Sequence, residues 1–130
     1  MRVVIDCNVL ISAALTDGTC RAVVQRAVER DDIYVSDEIL DEYRDVAIRP
    51  KYLKYQATVL SIISVIESVA HQVEPLETAP SLPDTKDSMY LATALAASGD
   101  AIVTGNIKDF PQNLCAPVEI LTPRQYLDVS

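Results

Sequence analysis

A few oxygen-bearing side chains stand where ordinary surface residues are hard to justify. Asp6 interrupts the apolar opening "MRVVIDCNVLISA". An ionised carboxylate among buried neighbours is costly unless something positive compensates it. Glu42, within "SDEILDEYRDVAIRPKY", falls at the edge of an apolar helical stripe made by Ile39, Leu40, Tyr43, Val46 and Ala47. Asp84 and Asp87 open the segment "DTKDSMYLATALAAS", where Asp87 shares a helical face with Tyr90, Leu91 and Ala94. Asn106 follows Gly105 just past the apolar run "AIVTG". Each has a plainer role open to it. Asp84 and Asp87 have the spacing of a capping box, Glu42 can be solvated among Asp41, Arg44 and Asp45, and Asn106 can serve a turn. Asp6 is the hardest to explain structurally. Taken together, oxygen donors on separate elements, without Cys or His ligands, point to Mg²⁺ or Mn²⁺.

The chain must supply elements that bring these groups together. "RVVID" (Arg2 to Asp6) reads as a short buried strand. "TCRAVVQRAVER" has helical spacing, with Thr19 as its cap. "DIYVS" (Asp32 to Ser36) is a second strand, and Ser36 caps the helix through "DEILDEYRDVAIR", which Pro50 ends or interrupts. A long helix is expected from Tyr55 to His71, with Val59, Ile62, Ile63, Ile66, Val69 and Ala70 on its core face. Leu60 and Val65 lie off that face, so this helix is either deeply buried or packed on a partner. A proline-rich loop leads to Asp84 as an N-cap, and Gly99 stops the helix that follows. "AIVTG" and "VEIL" are further strands, and Thr122 with Pro123 opens a terminal helix.

The predicted order is β-α-β-α-α-α-β-loop-β-α. It implies an α/β fold: one domain over residues 1–130, with a short, mostly parallel central sheet flanked by helices. Ligands of such sheets bind beyond the carboxyl ends of the strands. If "RVVID" and "AIVTG" are neighbours, Asp6 and Asn106 face one pocket.

Composition narrows the function classes. Of the 130 residues, 49% are hydrophobic, which suffices for one core. The longest apolar stretch, "TVLSIISVIESVA", is too short to span a bilayer and carries three serines and Glu67, so no membrane association is expected. The start does not resemble a signal peptide. Cys7, Cys20 and Cys115 are odd in number and far apart, and His71 is the one histidine. A disulfide framework and a Cys/His zinc site are therefore disfavoured, and a cytoplasmic location fits. The net charge of −8 argues against simple electrostatic nucleic-acid binding. The local exception is "RPKYLKY", which offers Arg49, Lys51 and Lys54 with Tyr52 and Tyr55 for phosphate contact and base stacking, or else forms a solvated loop. Lys108 is a second cation beside the expected pocket.

Three stretches in order, "VVIDCNVLISA", "SDEILDEYRDVAIRPKY" and "LPDTKDSMYLATALAASGDAIVTGNIKDFP", resemble the motifs of PIN-domain proteins over nearly the whole chain. The group most resembled is the VapC-like branch, described as toxins of toxin–antitoxin pairs. The resemblance implies an endoribonuclease dependent on Mg²⁺ or Mn²⁺. It implies Asp6, Glu42 and Asp87 as metal ligands, with Asn106 in a fourth position where many members carry Asp. Asp109, three residues on, stands as a partial substitute, and Asp84 as an accessory acid. Asn8 matches the Asn that orients the first acid, and Thr104 the threonine of "VTG" beside the pocket. Cys7 replaces the usual hydroxyl residue, and Asn106 removes one negative charge, which weakens the case for a second metal. The implied partners are an RNA substrate and a cognate antitoxin, and the surplus apolar surface on the long helix points to a homodimer. Two other readings stand beside this one. The first is a PIN fold that binds RNA or protein but cuts poorly. The second is an Asp-nucleophile phosphatase, which "DCN" disfavours because it lacks a second Asp two residues on.

Overall fold

The computed structural model describes residues 1–129. Its centre is a five-stranded sheet: β1 (Arg2–Ile5), β2 (Asp32–Val35), β3 (His71–Gln72), β4 (Ala101–Val103) and β5 (Glu119–Leu121). The spatial order is β3-β2-β1-β4-β5, and each adjacent pair is parallel. Seven helices accompany it: α1 (Cys7–Leu15), α2 (Thr19–Arg30), α3 (Asp37–Ala47), α4 (Gln56–Val69), α5 (Ser88–Ala96), α6 (Gln112–Cys115) and α7 (Pro123–Asp128). Short 3₁₀ turns cover Pro50–Tyr55, Thr85–Asp87 and Ile107–Asp109. The α/β sandwich read from the sequence is correct, and the sheet is wholly parallel.

The inner strands are apolar along their length because both faces are covered. Val3, Val4 and Ile5 of β1 and Ala101, Ile102 and Val103 of β4 are all fully buried. α5 packs on β1, β2 and β4, while α1 packs on α2, α3 and α4. Strand order reverses between β1 and β4. The chain builds β2 and β3 on one side of β1, then crosses to β4 and β5 on the other. At such a switch point the connections leave in opposite directions and a crevice opens at the carboxyl edge. The register Val3↔Ala101, Val4↔Ile102, Ile5↔Val103 brings Asp6 and Thr104 to that edge together.

Four local expectations need correction. The run after Asp6 is a helix, α1, with only Asn8 and Ser12 exposed among its residues Cys7 to Ala14. A helix apolar on nearly every side loses its periodicity, which is why the sequence left it unassigned. Second, the long helix ends at Val69, and His71 and Gln72 form β3 by pairing with Tyr34 and Val35. They satisfy the free edge of β2. Third, Thr19 is the first residue of α2 and Gly18 precedes it, so Thr19 is not the cap. Fourth, α5 ends at Ala96, and Ser98, not Gly99, takes the left-handed conformation at φ 50°. Gly99 still closes the helix end through its amide, which donates to the Ala94 carbonyl at 2.8 Å, and its site is crowded: a Cβ there would sit 3.1 Å from that oxygen. Three caps form as read: Ser36 accepts from the Ile39 amide, Asp84 accepts from the Lys86 amide at the start of the Thr85–Asp87 turn, and Thr122 with Gln125 makes a capping box.

Candidate active site

Asp6 is the last residue before the chain turns from β1 into α1. Its amide donates to the Val103 carbonyl at 3.0 Å, continuing the β1–β4 ladder by one bond. Its carbonyl accepts from the Val9 amide, opening α1. The side chain is only 3% exposed and does not escape to solvent. The buried Thr104 hydroxyl donates to its Oδ2 at 2.7 Å, and that same hydroxyl oxygen accepts from the Asn106 amide at 3.0 Å. Burial pushes the Asp6 carboxyl above the usual carboxylate range, and the Glu42 charge pushes it the same way. The Thr104 bond and the nearby amides of Asn8 and Cys7 pull it back only in part.

Glu42 comes from α3, whose apolar stripe is buried through Ile39, Leu40, Tyr43, Val46 and Ala47. At the edge of this stripe Glu42 is half-buried. Its Oε1 accepts from the Tyr90 hydroxyl at 2.8 Å, and the Tyr90 oxygen accepts from the Cys7 amide at 3.2 Å. Tyr90 thereby ties α5, α3 and the start of α1 into one polar network. Sequence reasoning assigned Tyr90 to the core stripe and missed this role. The signal available was its hydroxyl, because a buried phenol needs a polar partner. Tyr43 donates its hydroxyl to the Ile5 carbonyl, holding α3 against the end of β1.

Cys7, Asp6 and Glu42 each place one ligand-type atom within 4.8 Å of the others. Burial, then the neighbouring carboxylates, push the Cys7 thiol far above its ordinary value. The shift favours the protonated thiol over the thiolate.

Asp87 stands at the junction between the 3₁₀ turn and α5, half-buried, and its side chain caps nothing. The capping box open to Asp84 and Asp87 does not form. Asp84 caps the 3₁₀ turn alone, accepting from the Lys86 amide at 3.0 Å. Burial, followed by the charges of Asp6, Asp84, Asp109 and Glu42, pushes the Asp87 carboxyl up to about 7. Asp6, Glu42, Asp84, Asp87 and Asp109 line one cleft of about 250 Å³ with Asn8 and Asn106. Arg49 and Lys86 also line it, but Arg49 pairs with Asp45 at 3.5 Å. The other expected cations lie outside the cleft. Lys51 and Lys54 extend over the rings of Tyr52 and Tyr55 at 5.0 and 5.7 Å, and Lys108 is exposed on the turn after Asn106. Lys86 is a lining cation that the sequence reading did not single out.

The donor set fits a hard divalent cation. Among the described residues, none of the five cleft carboxylates forms an ion pair. Burial first, and then the charges of its neighbours, raise Asp87 to about 7. Asp6 and Glu42 bring carboxylate oxygens within 4.8 Å of each other and could hold such an ion; Asp87 and Asn106 line the same cleft outside that close group, as further oxygen donors.

A family model described as "PIN domain" matches residues 2–108. The chain belongs to the PIN-domain family. This PIN domain shares its fold with solved structures of low sequence similarity. A chain of VapBC2 from Rickettsia felis, solved bound to a promoter DNA fragment, is 14% identical with a TM-score of 0.63, covering 94% of this chain and 98% of that one. A chain of VapBC-1 from nontypeable Haemophilus influenzae is 14% identical with a TM-score of 0.64, covering 95% and 99%. A chain of FitAcB from Neisseria gonorrhoeae is 20% identical with a TM-score of 0.63, covering 94% and 98%. No curated protein matches the chain. No described helix of this PIN domain is long and apolar enough to cross a membrane.

Proposed function

We propose that this PIN domain is an endoribonuclease dependent on Mg²⁺ or Mn²⁺, and the cytoplasmic toxin of a toxin–antitoxin pair. One observation carries the reading: Asp6, Glu42 and Asp87 converge with Asp84 and Asp109 in one cleft at the β1–β4 switch point. Membership of the family and the folds shared with VapBC2 and VapBC-1 support it.

Asp6, Glu42 and Asp87 would hold the ion, which supplies Lewis-acid polarisation of the scissile phosphate and activation of water. The chain's own residues do the rest. Thr104 fixes the Asp6 carboxylate in one orientation, and Tyr90 does the same for Glu42. Asp84 or Asp87 would orient the attacking water, and Asp109 lines the same cleft as a partial substitute for a fourth carboxylate. Asn106 offers a neutral oxygen, so the site favours one ion over two. Arg49 and Lys86 on the cleft wall contact substrate phosphates, and Lys51, Lys54 and Lys108 lie further along the strand's path.

The test is direct. Purified protein cuts RNA with Mg²⁺ or Mn²⁺, stops with chelator, and stops as Asp6→Asn. Cleavage that persists in Asp6→Asn under clean controls overturns the assignment.

Asn106 and the net charge of −8 favour a second reading, a module that binds RNA or protein without cutting. Calorimetric titration with metal separates the two, because the module needs no ion. The antitoxin would supply a basic or apolar segment to cover the acidic cleft. The homodimer reading draws on α4, where Leu60 and Val65 are 42% and 45% exposed and so are not part of the core.

A further inference from the structure

Beside the acidic cleft runs a second groove of about 330 Å³. The two share Asn8 and Asn106 as a common wall. The groove continues past Gly105 to Ser12, Leu15 and Tyr52. Its character differs sharply from that of the cleft. Among the described residues, none that lines it is charged, in a chain of net charge −8. One wall is aromatic, and the shared wall carries two side-chain amides.

We propose that this groove holds the base of the nucleotide adjoining the scissile phosphodiester of a single-stranded RNA, with Tyr52 as the stacking wall. The inference rests on the ribonuclease reading and adds how the substrate strand is engaged. An acidic cleft carrying a divalent ion takes a phosphate. A strand leaving that phosphate must place its next base within a few ångströms. The uncharged groove adjoining Asn8 and Asn106 is where an uncharged, planar group is accepted. Single-stranded RNA is held by stacking on aromatic side chains and by hydrogen bonds to base edges. Tyr52 supplies the first, and the Asn8 and Asn106 amides, each both donor and acceptor, supply the second. Lys51 lies over the Tyr52 ring, its Nζ 5.0 Å from the ring centre, and brings a cation to this wall. The groove's volume falls at the lower end of the usual range for small-molecule sites, about 300–1,000 Å³.

Gly105 gives a clean way to close the groove. A Cβ built there meets nothing within 4 Å, and its φ is not positive. A larger side chain at 105, on the groove's lining, is therefore accommodated without straining the backbone or displacing the core.

The experiment uses short single-stranded oligoribonucleotides carrying 2-aminopurine at successive positions, mixed with the wild-type chain and Mg²⁺ and read by stopped flow before any strand is cut. Stacking on Tyr52 quenches the fluorophore at one position. Tyr52→Leu and Gly105→Leu remove that quench and weaken binding about tenfold, the loss of one stacked base. Tyr52→Phe retains the quench, because the ring is sufficient. Tyr52 is half-buried, so circular dichroism checks the fold of Tyr52→Leu, and Gly105→Leu decides the matter if that variant unfolds. No quench at any position, or a quench that survives Gly105→Leu, overturns the proposal and leaves a protein segment as the groove's better occupant. Cleavage of the same strands with Mg²⁺ is scored separately. Cutting without quench sinks the groove and keeps the nuclease; quench without cutting does the reverse.

Discussion

The Thr104 hydroxyl reaches across from the end of β4 to the Asp6 carboxylate at the end of β1, a donor–acceptor distance of 2.7 Å between two buried side chains. The same oxygen accepts the Asn106 amide. One hydroxyl thus orients the buried acid and fixes the turn that presents Asn106. Thr104→Val keeps the shape and deletes both bonds. We expect a loss of stability of about 1–3 kcal/mol, because the variant strands a buried carboxylate and an amide. Urea unfolding of the two proteins measures it. An unchanged midpoint contradicts the role assigned to Thr104.

Asp6 is retained at a cost to the fold. Burial and Glu42 raise its carboxyl, so its ionised form is disfavoured in the native state. Asp6→Asn is therefore expected to raise the melting temperature of the metal-free protein at pH 8 while abolishing RNA cleavage. Added Mg²⁺ should then stabilise the wild type and leave the variant nearly unaffected. Thermal melts with and without the ion test both statements.

Tyr90→Phe removes the hydroxyl that Glu42 and the Cys7 amide share. The ring still fills its place, so the chain should fold. Glu42 then loses its orienting partner, and metal affinity or cleavage should fall by about 10- to 100-fold. Calorimetric metal titration is the readout. Equal affinity in the two proteins would place Tyr90 outside the site's support.

The acidic cluster gives the metal-free protein a pH dependence. Asp87 titrates at about 7 when folded, against an ordinary value of 3.8. Between those values the folded chain binds a proton that the unfolded chain has released. Its contribution is complete below about pH 4 and is lost as pH rises through 7. Asp6, raised by burial, acts in the same direction. The denaturant midpoint in chelator should fall from pH 5 to pH 8, and Mg²⁺ should reverse the fall at pH 8. A midpoint that rises over this interval contradicts the crowding of these carboxylates.

Leu60 and Val65 stand exposed on α4. The double variant Leu60→Glu, Val65→Glu should convert a dimer to a monomer in light scattering without changing the helical signal. A monomeric wild type would dispose of the homodimer.

How much of this was legible beforehand follows physical lines. Asp6 stood out because a carboxylate inside an apolar run has few structural duties. The caps at Ser36 and Thr122 could be read because capping is a matter of neighbouring residues. α1 could not, because burial on nearly all sides erased its period, although Asn8 and Ser12, four residues apart, marked its exposed face. β3 was hidden too, since two residues become a strand only when the edge of β2 is there to pair with them.

The sequence by itself determined which chemistry was available: hard oxygen donors, no Cys/His set, and alternating elements that imply a parallel sheet with its acids at the strand ends. Tertiary structure alone decided which donors meet. Placing β4 beside β1 joined Thr104 to Asp6, which lie 98 residues apart in the chain. Docking α5 against α3 made Tyr90 a partner of Glu42, where its helical stripe indicated only core. Spacing along a chain reports the face a residue occupies on its own element. Convergence between elements depends on sheet order and packing, and these settle only when the whole core closes.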